Sequence, residues 1–314
     1  MNNINAAYLD FAKEAVIKRS LEEKQKIFIH QIEHAGYGAI LSRLMTGFNL
    51  SLATNSNYYF EINSNYLVEE MFDIRVKKLP TNKQELVIWD FFQHTWNADI
   101  TTRAEHQFPV CPIDINLVIS RHQWCSIIAN IIFGRPSEYL KKHIQQKKIE
   151  INWEKYPKYI GLHIRRGDKN TENPIIPINI YVNYLNEIYK VNPGSDLGIY
   201  LSSDSEKTYD DLSKFIDKDL IVFDLNEKRY NNYNAGMVQK NKELAFQESL
   251  TCAKNITILG ECDYVLGMST AQFTWLGGLL SVYKAKLDTS KHIMIDPFTN
   301  KRGHWANYYG FNLI

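Results

Sequence analysis

In the stretch Tyr159–Asn173, YIGLHIRRGDKNTEN, an apolar run ends abruptly in His163, Arg165, Arg166, Asp168 and Lys169. Two guanidiniums and an ammonium gathered at one place suit a phosphate-rich ligand, because Arg offers a planar fork to phosphate oxygens and Lys a point charge. In open α/β sheets ligands bind just beyond the carboxyl ends of the strands, and that is where this run would deliver its charged residues. Phosphate or diphosphate recognition is therefore the first expectation. A solvated basic turn held by local salt bridges is the alternative that residue types leave open. An adhesion reading of Arg166-Gly167-Asp168 is weaker, since a tripeptide recurs by chance and this one adjoins a buried strand.

Three further segments carry residue types suited to the same ligand. The turn His34-Ala35-Gly36-Tyr37-Gly38 places two glycines after a strand and before a helix. There the backbone can approach a ligand closely and the helix amino terminus favours negative charge, although such turns also serve simple chain reversal. In Asp263–Gln272, DYVLGMSTAQ, Ser269 and Thr270 can either cap the next helix or offer hydroxyls and backbone N–H groups to a phosphate oxygen. Asp204 follows the strand-like Tyr200-Leu201-Ser202-Ser203 and could bind a sugar hydroxyl, orient Arg165 and Arg166, or cap the helix beginning near Ser205.

The elements that must position these groups are legible in the alternation of patterns. In the first half, strands are expected at Lys26–Ile32, Tyr58–Ile62 and 86–91, with helices over 39–53, 117–133 and 138–148. From Tyr159 the succession becomes regular: strands at 159–165, 198–202, 220–223, 264–267 and 292–295 alternate with helices at 179–190, 205–215, 242–254 and 272–284. Such alternation predicts a parallel sheet covered by helices. The fold class expected is α/β, with two Rossmann-like domains facing a cleft. The polar run 145–150, followed by Asn152-Trp153-Glu154 and Pro157, is the expected junction between residues 1–150 and 151–314.

The chain of 314 residues, 45% of them hydrophobic, is long enough for two compact domains, and its formal charge of +1 gives no reason to expect a nucleic-acid or membrane-surface partner. Cys111, Cys125, Cys252 and Cys262 show no C-x-x-C spacing, so buried thiols in a reducing compartment, read as the cytoplasm, are expected. No segment reaches the roughly 20 apolar residues that a transmembrane helix needs, and the amino terminus has no secretory pattern. Asp217-Lys218-Asp219 and the His30/His34 pair match metal-binding spacings, but the first lies in a charged loop and the second flanks a strand end. No metal is expected.

His163-Ile164-Arg165-Arg166-Gly167-Asp168-Lys169 resembles the H-x-R-R-x-D-K segment of the GDP-fucose-dependent fucosyltransferases. The likeness is greatest to the α-1,6 branch with the N-glycan core and nodulation-factor enzymes. Lys169 favours that branch, whereas Gly167 is more typical of the α-1,2 enzymes. The Gly-Tyr-Gly loop, the Tyr200–Asp204 strand end and the Asp263–Gln272 segment are similar to further motifs of this family, in the same order. Thr270-Ala271 stands where the family has Ser-Ser, and Asn255 where it has an Asp held to read the guanine edge.

The resemblance implies the GT-B architecture, no metal or other cofactor, GDP-fucose as donor and a glycan acceptor, with L-fucose transferred with inversion. It implies Arg165, Lys169 and Glu172 as catalytic: Arg165 neutralising the departing diphosphate, Glu172 as base, Lys169 as its partner in proton relay. Glu172 lies one residue closer to Lys169 than in the core enzymes. Donor contacts are implied for His163, Arg165, Arg166, Asp168, Gly36, Tyr37, Gly38, Asp204, Asn255, Ser269, Thr270 and Gln272. An α-1,2-fucosyltransferase, a transferase of another GDP-sugar, and a non-catalytic nucleotide-sugar-binding subunit remain the alternatives. The aromatic tail 304–309 could stack on a sugar or simply pack.

Overall fold

The computed structural model describes residues 6–32, 36–90, 120–167, 174–229, 238 and 240–303. After helix α1 (Ala6–Leu21), a first α/β unit runs β1 (Lys26–Ile32), α2 (Tyr37–Ala53), β2 (Asn57–Ile62), the short α3 (Val68–Met71) and β3 (Glu85–Asp90). Helices α4 (Arg121–Phe133) and α5 (Glu138–Glu150) follow. The second unit alternates β4 (Lys158–Ile164), α6 (Ile178–Val191), β5 (Leu197–Ser203), α7 (Lys207–Leu212), β6 (Ile221–Val222), α8 (Lys242–Glu261), β7 (Tyr264–Met268), α9 (Gln272–Lys284) and β8 (His292–Ile295).

Two sheets result, β2-β1-β3 and β6-β5-β4-β7-β8. Every strand pairing in both is parallel. The fold is thus α/β, as the alternation predicts. Parallel strands covered on both faces read as near-continuous apolar runs, and β5 is buried along its whole length.

Local details explain why chain and sheet fit. In β4, Ile160, Leu162 and Ile164 face a core completed by Tyr181, Leu185 and Ile188 of α6. On the opposite face, Gly161 admits α8 so closely that an added Cβ would lie 2.9 Å from Leu259 Cδ2. Gly47 does the same for α2 on β1, where a Cβ would meet His30 Nδ1 at 2.1 Å. That buried imidazole lies 3.1 Å from the Tyr58 hydroxyl, which donates to Leu44 O. Trp275, Leu276 and Leu279 of α9 share one core with Phe48 of α2 and Trp124 of α4, so α8 and α9 form a helical layer common to both sheets. Trp124 Nε1 donates to Asn49 Oδ1 at 2.8 Å within it.

The elements depart from expectation at their ends. Helix α1 is absent from the sequence reading; its buried stripe, Leu9, Ala12 and Val16, is narrow and set among charged residues. Within the described residues α4 begins after Ser120, whose hydroxyl and the Gln123 side chain form a capping box. The polar run expected as a junction, 145–150, is the end of α5. Helix α8 continues beyond Lys254 to Glu261, while α7 is confined to Lys207–Leu212.

Candidate functional site

From β4 the chain steps outward to β5 and β6, then returns to the other side of β4 for β7 and β8. The strand order therefore reverses between β4 and β7, and in such sheets the crevice outside the strand carboxyl ends at this reversal is where ligands bind. Arg165, Arg166 and Gly167 leave the end of β4 there, and Ser269, Thr270 and Ala271 leave the end of β7.

Asp204, at the end of β5, holds the first of these segments. Its Oδ1 accepts from the Arg166 backbone N–H at 2.7 Å and its Oδ2 from that of Gly167 at 2.7 Å. The same Oδ2 lies 3.1 Å from Arg165 Nη1, whose side chain is 29% exposed. Of the roles open to Asp204 in the sequence, orienting the arginine segment is thus the one its contacts display. Ser203 takes the local turn instead, accepting from the Ser205 N–H at 3.2 Å. Arg166 turns its guanidinium to Ile176 O at 2.8 Å and so ties down the chain returning to α6.

His163 lies beneath this segment, 4% exposed. Its Nδ1 is 2.9 Å from Thr274 Oγ1, and its ring stacks on Phe273 with centroids 5.4 Å apart. Burial, reinforced by the Arg165 charge, pulls its pKa down to about 3. The imidazole is neutral at physiological pH and locks β4 to the first turn of α9.

Helix α9 starts after Ala271 with no side-chain cap, so Ser269 and Thr270 do not cap it as the sequence allowed. Ser269 is fully buried and its Oγ, like Gln272 Oε1, has no hydrogen-bond partner among the described residues. The Gly-Tyr-Gly turn meets this helix directly. Gly36 is the residue preceding α2, also without a side-chain cap. A Cβ on Gly38 would lie 2.9 Å from Gln272 Cβ and 3.3 Å from the Phe273 ring, whereas Gly36 borders open space. Tyr37 is buried and edge-on to Tyr66 at 5.6 Å. Two helix amino termini without a side-chain cap, each carrying partial positive charge, thus meet at Gln272 and Phe273, and Phe273 stacks on His163 at the end of β4, an arrangement suited to an anion with several oxygens.

Asn255 is not brought to this crevice by its side-chain contacts. It accepts from the Tyr200 hydroxyl at 2.6 Å and donates to Glu227 Oε1 at 2.7 Å, inside a buried network under β5. Asp168, Lys169, Thr171 and Glu172 lie outside the described residues, as do His34, Cys111 and the tail 304–309. Asp217 accepts from the Asp219 N–H, and Asp219 lies 3.8 Å from Lys155, at the entry to β6 and hence at the sheet edge away from the crevice. Among the described residues no three His, Cys, Asp or Glu side chains gather as a metal site. Cys125, Cys252 and Cys262 are buried.

Sequence reading missed Thr274 and Phe273, which hold His163, and Arg229, which bonds the carbonyl of Ser203. Nothing in residue spacing marks them; they are set by the fold.

No protein-family model and no curated protein matches the sequence. Solved structures do match. The crystal structure of NodZ alpha-1,6-fucosyltransferase soaked with GDP-fucose superposes with a TM-score of 0.52 at 13% identity, over 90% of this chain and 98% of that one. This chain has the NodZ fold. The fucosyltransferase NodZ from Bradyrhizobium, in a further crystal, gives a TM-score of 0.51 at 13% identity over 90% and 98% of the two chains. NodZ co-crystallised with GDP gives 0.50 at 14% identity over 82% and 93%. The likeness carried by His163–Lys169 thus extends to the fold of NodZ, along nearly the whole of both chains. No helix among the described residues is long and apolar enough to cross a membrane.

Proposed function

We propose that the protein is a GT-B glycosyltransferase that moves L-fucose, with inversion, from GDP-fucose to a sugar hydroxyl of a glycan or surface polysaccharide, forming an α-1,6-type linkage. The observation that carries this reading is the grip of Asp204 on Arg165 and on the Arg166 and Gly167 amides, beside the uncapped start of α9. A cation held in place in advance stabilises charge that builds on a departing diphosphate. The NodZ crystals soaked with GDP-fucose and grown with GDP support the choice of donor.

In this proposal residues 151–314 hold the donor and residues 1–150 face the acceptor, with Gly36, Tyr37 and Gly38 lining the space between. The acceptor oxygen attacks the fucose anomeric carbon, the bond to the diphosphate breaks, and the proton passes to Glu172 with Lys169 as its partner. Arg165 answers the negative charge on GDP. Protein cations supply that stabilisation, so no divalent ion is required, and the enzyme acts in the cytoplasm.

The test is calorimetry with GDP, together with donor turnover compared among GDP-fucose, GDP-mannose and GDP-heptose, in chelator and with manganese. Tight GDP binding and turnover of GDP-fucose in chelator, followed by fucose transfer on a glycan array with 1,6-linkage analysis, is the expected result. Absence of GDP binding overturns the proposal, and an absolute manganese requirement overturns its metal-independent form.

A further inference from the structure

The side chain of Arg229 is 5% exposed; its guanidinium is divided among three backbone carbonyls and lies 3.8 Å from the exposed Glu206 Oε1. Nε donates to Ser203 O at 3.2 Å, Nη1 to Glu227 O at 2.9 Å and Nη2 to Asp224 O at 2.8 Å. The guanidinium lies 4.3 Å from the centre of the Phe223 ring, which itself stacks on Tyr209 with planes 6° apart. A buried cation so engaged fixes backbone, since a planar fork satisfies several acceptors at set angles.

Two of those carbonyls belong to a loop anchored from behind. Lys254, 2% exposed, reaches Glu227 Oε2 at 2.7 Å and Asp224 Oδ2 at 3.4 Å. Asn255 holds Glu227 Oε1, and Lys147 lies 3.5 Å from Asp224 Oδ2. The third carbonyl, Ser203 O, belongs to the peptide unit that joins Ser203 to Asp204. The Ser203 hydroxyl donates to Ile164 O at 2.8 Å, so the ends of β4 and β5 are clamped at the same place.

We propose that Arg229 is a positioning residue for the site: it sets the Ser203–Asp204 peptide from the anchored loop, and through Asp204 the Arg165 guanidinium and the Arg166 and Gly167 amides. The inference deepens the donor reading and rests on it for its consequence in GDP binding. Its structural half concerns only contacts within the chain.

The experiment separates the two. Hydrogen exchange at the Arg166 and Gly167 amides, without ligand, reads the relay itself. In Arg229→Lys these two amides exchange at least tenfold faster while β4 and α9 keep their protection. Acceleration confined to α7 and β6, with Arg166 and Gly167 unchanged, overturns the proposal. GDP affinity is then measured for Arg229→Lys, Asp204→Asn and the double variant. Groups acting through one another are non-additive, so the double variant is expected within about twofold of Asp204→Asn; a fully additive loss overturns the relay. Lys keeps the buried charge and fills most of the volume. Should it not fold, Arg229→Gln, which is neutral, is read by the same two measurements. If the unaltered protein binds no GDP, the donor reading falls, and the exchange result alone judges the positioning.

Discussion

Asp204 has both carboxylate oxygens committed to the segment that carries Arg165, which makes the guanidinium a preset group rather than a mobile surface charge. If Arg165 meets the donor diphosphate as proposed, Arg165→Ala removes a charge-assisted contact. A loss of about 2–4 kcal/mol in GDP binding is expected, with transfer nearly abolished and thermal stability retained. Calorimetry with GDP checks it, and unchanged affinity would remove Arg165 from the site. Glu172 separates chemistry from binding. If it takes the acceptor proton, Glu172→Gln keeps GDP affinity within a few-fold but loses about two to four orders of magnitude in transfer. Single-turnover transfer measured beside GDP affinity decides; near-normal turnover assigns the proton to another acceptor.

At the scale of elements, the contact between the starts of α2 and α9 is the tightest test of the site's shape. Gly38→Ala drives a methyl to 2.9 Å from Gln272 Cβ, an atom close to the backbone that has little room to yield. The expected cost is about 1–3 kcal/mol of stability, with weaker GDP binding as α9 shifts; Gly36→Ala, which meets open space, serves as the control for stability. Equal stability of the two variants in denaturant melts would sink this reading. The strands bearing the site were legible because parallel strands are uninterrupted apolar runs, and β4 announces its end by a sudden change to His163, Arg165 and Arg166. Helix α1 was not, since Leu9, Ala12 and Val16 form too thin a stripe among Lys and Glu. The extension of α8 was hidden by Ile256, Thr257 and Ile258, residues whose branching reads equally as strand. The roles of Asp204 and Arg229 needed the fold, because β5, the loop after β6 and the end of β4 meet only in three dimensions.

Across the whole molecule, three buried histidines tie stability to pH. Burial lowers the pKa of His30 and of His163 to about 3, and pushes that of His292 well below its ordinary value. Below about pH 6.5 the unfolded chain binds protons at these positions that the folded chain refuses. Their contribution is therefore intact above that pH and is lost as pH falls toward the folded values, at about 1.4 kcal/mol per pH unit for each group. Urea melts at pH 7, 6 and 5 are expected to show a steep fall in midpoint, made shallower by His163→Asn; a flat midpoint would contradict it. Because α8 and α9 pack in one core with both sheets, loss of that shared core is expected to weaken both together. Heat should melt the chain in one calorimetric transition, and a ligand seated on the second sheet should slow hydrogen exchange in β1 of the first. Those two outcomes together would mark the chain as a single thermodynamic body toward its ligand, affinity gained at one sheet being felt as durability in the other.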